Sequence, residues 1–419
     1  MNKRLFALLS VLVIASLALT ACGGGGGGGG ATLKIVSSLP MTGASLTQTQ
    51  TIVNAMQLRV EQAGGKACDG KYTVVYEPWD DASAALGKWD PAVETENANK
   101  AAADKSIVAY LGTFNSGAAK LSIPILNQAG PLVMISPANT YPGLTHAAEG
   151  LTEADEPDKY YPSGTRNYAR VAATDDFQGP VAVNLMLSLG VKTVYILDDQ
   201  EVYGKGVADS VNQAAVAAGL TVIAQEGFDP KAADYKALMT KISTSNNGGA
   251  PDAIFLGAIV DNNSAQILKD KVAIIGDNET VKFVGPDGIF TAALIEGAGA
   301  EVAEGVYATT PGLAFKDISD AGKKFYADYA AKFGETKEPY AIMGYDAMGA
   351  ALKAIEDVCA AGGDPTDRAA ITKAVFALKD FDGGLGKWSF DENGDITLPY
   401  FLVGQVQNGV YADYGTFTP

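Results

Sequence analysis

One histidine and three cysteines bound the covalent and metal chemistry open to this chain. With His146 the sole imidazole and the cysteines scattered, neither a zinc site nor a Ser/His or Cys/His catalytic pair has its residues at a workable spacing. No G-x-S-x-G elbow and no G-x-x-x-x-G-K-[ST] loop is present. Glu153 and Asp155 have the spacing of paired carboxylates. They sit in a proline- and charge-rich stretch and read as a solvated loop. The expectation is therefore no catalytic residue, no metal ligand, no cofactor and no enzyme. What is left is recognition by hydroxyls, amides and carboxylates.

The N-terminus says where such recognition would take place. Lys3 and Arg4 precede an apolar run from Leu5 to Leu19. That run is short for a bilayer span, which takes about 20 residues, and it reads as a signal peptide, residues 1–21. Its ending, Leu19-Thr20-Ala21-Cys22, resembles the bacterial lipobox, which implies a diacylated Cys22. Two acyl chains suffice for stable attachment. Eight glycines follow, and residues 22–31 read as a tether with a root-mean-square span of about 16 Å.

About 390 residues remain, more than one core usually covers, so two lobes are expected. The net charge of −17 disfavours nucleic acid, whose phosphates need a basic footprint. In an oxidising compartment Cys68 and Cys359 either pair or stay as buried thiols, and sequence alone leaves both open.

Short β-type runs alternate with helical periodicity. Strands are expected at 33–36, 72–76, 107–111 and 132–135, with helices at 49–62, 94–105 and 117–128 between them. The pattern restarts with strands at 193–197, 221–224, 253–256 and 282–284, preceded by helices at 180–189, 204–218, 234–243 and 264–271. A long helix at 341–360 and β-type runs at 386–390 and 400–406 close the chain. This is an α/β protein with two Rossmann-like lobes built on parallel sheets. Ligands of open α/β sheets bind beyond the carboxyl ends of the strands. The loops after Leu111, Ile135, Leu197, Leu256 and Val284 are therefore the ones to inspect.

Those loops carry a resemblance. Leu39-Pro40-Met41-Thr42-Gly43, Ile135-Ser136-Pro137-Ala138-Asn139-Thr140 with Leu144-Thr145, and Asp176-Phe177-Gln178-Gly179-Pro180 match in order and spacing. So do Tyr203-Gly204-Lys205-Gly206 and Gly285-Pro286-Asp287-Gly288. Over residues 32–407 the chain resembles the branched-chain amino-acid substrate-binding proteins of ABC transporters, the type I periplasmic binding proteins. The resemblance implies lobes joined by a three-strand hinge, with crossings near 170–173, 308–311 and 386–389. Lobe 1 would take 32–171 plus 312–387, and lobe 2 would take 172–311 plus 388–419.

It also implies site residues. Ser116, with Asn115 before it, falls at the hydroxyl position of the loop that holds the ligand carboxylate. A hydroxyl and free N–H groups at a helix start favour an anion, although a Ser there can also serve only as a cap. Ala138, Asn139 and Thr140 fall in the loop that meets the amino-acid head group. Tyr203 matches an aromatic of the cleft wall, Asp287 an acidic residue facing the ammonium, and Tyr345 a further pocket position. Gln48 and Ile259 replace family aromatics, so the implied ligand is amino-acid-like without being fixed as branched-chain. Residues 147–167 have no family counterpart of that length and read as a surface excursion. The partners implied are a small solute, ABC permease subunits and a membrane through the lipid, for a monomer outside the cytoplasm. Two other readings stay open: a ligand sensor for a membrane receptor, and a binder of a small amide or carboxylate.

Overall fold

β-branched runs and helical stretches resolve into two parallel-dominated sheets. The protein is described here over residues 31–419 from a computed structural model. The expected signal peptide, Cys22 and the glycine tract lie outside the described residues.

The chain begins with β1 (Ala31–Leu39), α1 (Leu46–Gln62), β2 (Lys66–Ala67) and β3 (Tyr72–Asp80). A small hairpin follows, β4 (Ala82–Ser83) with β5 (Lys88–Trp89). Then come α2 (Pro91–Ala103), β6 (Ile107–Gly112), α3 (Ser116–Asn127), β7 (Val133–Ser136) and β8 (Tyr168–Arg170). α2 starts where it does because Asp90 accepts from the Ala92 N–H at 2.9 Å, with Pro91 preset in the first turn. The first sheet has the order β2-β3-β1-β6-β7-β8, parallel except for β2. Every residue of β6 is buried, as a strand covered by helices on both faces requires.

The second lobe takes α4 (Asp175–Ser188), β9 (Thr193–Asp198), α5 (Val202–Ala217), β10 (Thr221–Gly227), α6 (Lys236–Ile242) and β11 (Ala253–Gly257). It continues with α7 (Ser264–Ile274), β12 (Lys282–Gly285), α8 (Ala292–Ala298), α9 (Ala300–Ala303) and β13 (Tyr307–Pro311). The chain returns to the first lobe as α10 (Asp320–Phe333), α11 (Ala341–Ala360), α12 (Arg368–Phe376) and the hairpin β14 (Phe381–Gly383) with β15 (Gly386–Trp388). It ends in β16 (Phe401–Gln407) and β17 (Val410–Phe417). The second sheet is ordered β10-β9-β11-β12-β13-β16-β17, with β16 and β17 antiparallel.

The chain passes between the sheets three times, and the third passage differs from the sequence expectation. Residues 386–389 do not cross. β15 pairs with β14, and Trp388 and Phe390 are buried in the first lobe's core, with Ile396 and Leu398 packed on it. The Arg170 N–H donates to Gly394 O at 2.9 Å, holding this segment beside β8. The crossing comes at residues 399–401, where the Gly312 N–H donates to Tyr400 O and Pro311 pairs with Phe401. Two large aromatic side chains delayed it, because they needed the first core.

Residues 147–167 are not a loose excursion either. Glu153 and Asp155 are exposed, but Glu156 is buried. Its carboxylate accepts from Tyr141 Oη at 2.7 Å and Tyr160 Oη at 2.5 Å and pairs with Lys120 at 2.8 Å. Burial opposes its charge, yet these partners lower its pKa to about 2. Cys68 and Cys359 form a disulfide with a Cα–Cα distance of 5.7 Å.

Candidate functional site

The carboxyl ends of both sheets face one cleft, and the loop after β6 is pressed tightly against β1. A Cβ on Gly112 would lie 2.6 Å from the Ser38 carbonyl oxygen, so glycine is required there. This approach sets Thr113, Phe114 and Asn115 ahead of α3. Thr113 Oγ1 donates to Asn115 O at 2.7 Å. Ser116 opens the helix, and its hydroxyl oxygen accepts from the Tyr141 N–H at 3.4 Å. Asn115 is buried, and its Oδ1 has no partner.

The loop after β7 is built on Ser136. Its hydroxyl donates to Thr113 O at 2.9 Å and accepts from the Ala138 and Asn139 N–H groups at 3.0 and 2.8 Å. Asn139 ties the two loops together. Its Nδ2 donates to Phe114 O at 2.9 Å, and its Oδ1 accepts from Tyr168 Oη at 3.0 Å. Next to it, Thr140 Oγ1 is buried without a partner.

The second lobe contributes carboxylates. Asp287 follows β12 and accepts from Tyr203 Oη at 2.8 Å and Tyr340 Oη at 2.6 Å. Burial raises its pKa, with the Tyr340 hydroxyl, the Gln178 amide and the Tyr203 hydroxyl pulling the other way. Asp175 opens α4 with both carboxylate oxygens buried and unpartnered. Burial first, then Asp287, pushes its pKa well up, and Thr140 and Arg170 are the groups that counter this. Gln178, one turn on, donates through Nε2 to Thr309 O at 3.1 Å and Oγ1 at 2.9 Å, leaving Oε1 unpartnered. From the first lobe, Gln48 Nε2 reaches Asp287 O at 3.3 Å and Phe290 O at 3.2 Å.

The lobes are in contact across the cleft mouth. Asp261 of the second lobe accepts from the Ala44 N–H at 2.5 Å, the Ser45 N–H at 3.0 Å and the Ser45 hydroxyl. Lys88, on the β4–β5 hairpin, donates to Glu201 Oε1 and Asn262 Oδ1, both at 2.7 Å. Trp89 beside it is buried among second-lobe residues including Val181 and Tyr203.

Chemically, the closed cleft is a nest of acceptors beside a helix start. The acceptors suit a cationic or donor-rich head group, and the first turn of α3 suits an anionic one. Ser116 has no imidazole near it. His146 instead bridges Asp176 Oδ2 at 3.1 Å and Asp395 Oδ2 at 3.0 Å. Among the described residues no group of three His, Cys, Asp or Glu is placed to hold a metal.

Of the residues expected from sequence, Asn115, Ser116, Ala138 and Thr140 line up on the first-lobe side, with Tyr203 and Asp287 opposite. Asn139 has both ends of its amide occupied by the loops themselves. Tyr345 lies elsewhere: its hydroxyl meets Arg59 Nη1 at 2.9 Å and Gln62 Oε1 at 2.5 Å, away from Asp287. Tyr340, just before α11, is the tyrosine that reaches the carboxylate. Asp175, Gln178 and Tyr340 were not picked out as contacts from sequence. The first two lay in or beside the matching string Asp176-Phe177-Gln178-Gly179-Pro180, where only helix phase separates the inward residue from its neighbour.

Comparison with known proteins decides the family. A family profile described as periplasmic binding protein matches residues 32–409. The chain belongs to the periplasmic binding protein family. Members of this family are solute-binding proteins rather than enzymes, and membership places the chain outside the cytoplasm. It is 27% identical over 371 residues to the Leu/Ile/Val-binding protein BraC3 of Rhizobium johnstonii, covering 86% of this chain and 88% of that one. It is 26% identical over 398 residues to the leucine-, isoleucine-, valine-, threonine- and alanine-binding protein of Pseudomonas aeruginosa, covering 94% and 92%. Among solved structures, the leucine-binding protein LivK of Thermotoga maritima superposes with a TM-score of 0.76 at 25% identity, covering 92% of this chain and 99% of that one.

Proposed function

We propose that this periplasmic binding protein captures an amino acid or amino-acid-like solute in the cleft and delivers it to an ABC permease. The observation that carries the reading is the buried Asp175 carboxylate, which has only the Thr140 hydroxyl and the more distant Arg170 to favour its charge and stands beside Asp287. Buried polar groups are rarely left unsatisfied. An ammonium, with three N–H donors, is the group that answers them. The α3 start with Ser116 takes the carboxylate of the same ligand. A ligand touching both lobes favours the closed state, and closure is the signal a permease would read.

The Leu19-to-Cys22 signal and the glycine tract fit a lipid anchor that keeps the binder near its permease and raises its effective concentration there. Titration calorimetry of ligand-stripped protein against amino acids tests the capture reading. Ser116→Ala and Asp287→Asn are each expected to weaken binding by about tenfold or more; unchanged affinity in both overturns the head-group assignment. In cells, Cys22→Ala is expected to move the protein from the detergent-phase to the aqueous fraction, and no shift would refute the anchor.

A further inference from the structure

Two buried primary amides beside Asp287 have a polarity that their partners fix. The Gln48 NH2 group donates to the carbonyls of Asp287 and Phe290. Flipping the amide would set its oxygen against two carbonyl oxygens, so Oε1 must be the atom left free. It is buried and has no partner. Gln178 is anchored the same way on Thr309, and its Oε1 is also unpartnered.

Asp175 Oδ1 and Oδ2, Gln178 Oε1, Gln48 Oε1 and Asn115 Oδ1 make five orphaned acceptors, beside Thr140 Oγ1, whose hydroxyl can also donate. An α-ammonium supplies three donors. The count leaves acceptors that the head group of an amino acid does not satisfy. Each would carry the full cost of desolvation if the rest of the ligand were hydrocarbon.

We propose that the ligand's side chain carries an N–H or O–H donor accepted by Gln48 Oε1, so that Gln48 selects polar amino acids over apolar ones. This rests on the amino-acid reading above and names the ligand class. The selection is made at closure. Gln48 belongs to α1 of the first lobe, whereas the carbonyls that orient it belong to the second. The acceptor is therefore aimed only when the lobes meet, and an apolar side chain is penalised at that step.

Titration calorimetry with three near-isosteric pairs tests this: threonine against valine, asparagine against leucine, and ornithine against norleucine. Ligand-stripped wild-type protein is expected to bind the polar member of at least one pair about tenfold or more tighter than its apolar twin. In Gln48→Met and Gln48→Leu that ratio is expected to fall below about threefold or invert. Because the readout is a ratio within one protein, a general loss of stability does not move it. An apolar member binding as tightly as its twin in all three pairs overturns the proposal. So does a polar preference that survives both substitutions. No binding of any of the six, in wild type or variants, overturns the amino-acid reading itself and this proposal with it.

Discussion

Asp175 and Asp176 are adjacent carboxylates with opposite environments. Asp175 is enclosed with no hydrogen-bond partner, and burial drives its pKa well up. Asp176, turned by one helical step, meets His146 and is held below the usual carboxylate range despite its own burial. A group that is poorly satisfied without ligand and needed with it should trade stability for function. Asp175→Asn is expected to raise the melting temperature of the ligand-free protein and to weaken ligand binding by about tenfold or more. Thermal melts and calorimetry on the same preparations check both halves; a lower melting temperature with unchanged affinity contradicts them. The same scale shows why Tyr345 was a misplaced expectation. Tyr340 and Tyr345 both lie at the start of one helix, and five positions turn them onto different sides. Residue type gave no means of choosing, because the choice depends on how α11 is rotated against the first sheet.

At the scale of elements, two cations hold loops that have no regular hydrogen bonding of their own. Lys271, near the end of α7, places its Nζ 2.6–2.9 Å from four acceptors, the carbonyls of Gly276, Asp277 and Val281 and Asn278 Oδ1, which share its three N–H donors. It has no carboxylate partner, and burial lowers its pKa to about 7. Lys271→Met leaves those acceptors orphaned and is expected to cost about 3 kcal/mol in denaturant unfolding.

The second cation is Arg170 at the first crossing. Its Nε donates to Asp395 Oδ1 at 2.5 Å and its Nη1 to Tyr141 O at 2.7 Å. Burial disfavours charge on Asp395, but Arg170 and His146 together hold it well below the usual carboxylate range. His146 completes the network. Burial works against its imidazolium, yet Asp176 and Asp395 raise its pKa from 6.5 to about 9. The folded chain thus keeps a proton that the unfolded chain has released between these values. That stabilisation is complete below pH 6.5 and is lost as pH rises through 9. The melting-temperature gap between wild type and His146→Gln is therefore expected to be widest near about pH 6 and to close by about pH 9.5. A gap that widens with pH would refute the assignment.

Across the whole molecule, the disulfide joins positions 291 residues apart. Both ends lie in the first lobe: Cys68 follows β2 and Cys359 lies at the end of α11. Closing so long a loop restricts the unfolded chain strongly, by about 6 kcal/mol in the chain-entropy account, of which native bridges deliver a part. The double variant Cys68→Ser/Cys359→Ser is expected to lose about 2–4 kcal/mol of unfolding free energy. Ligand affinity should stay within about threefold, because the bridge does not cross the cleft. A fall in affinity without a fall in stability would overturn that separation.

The strand–helix alternation, the two-lobe count and the recognition strings on strand-end loops were legible in the chain because they depend on local composition and order. Helix 341–360 was placed to the residue, since its apolar periodicity is long and uninterrupted. The helices Asp320–Phe333 and Arg368–Phe376 and the last strand, Val410–Phe417, were not read at all. Ser116, Thr140, Tyr203 and Asp287 stand as a set of candidates only through the resemblance of their loops to the family; spacing and residue type alone do not group them. Four things were settled only by the tertiary structure: which acceptors stay unpartnered, which tyrosine meets Asp287, where the chain crosses for the third time, and whether two distant cysteines pair. Each depends on atoms far apart in sequence meeting across a packed core or a closed cleft. Helix rotation and lobe closure fix those meetings, and no local pattern records them.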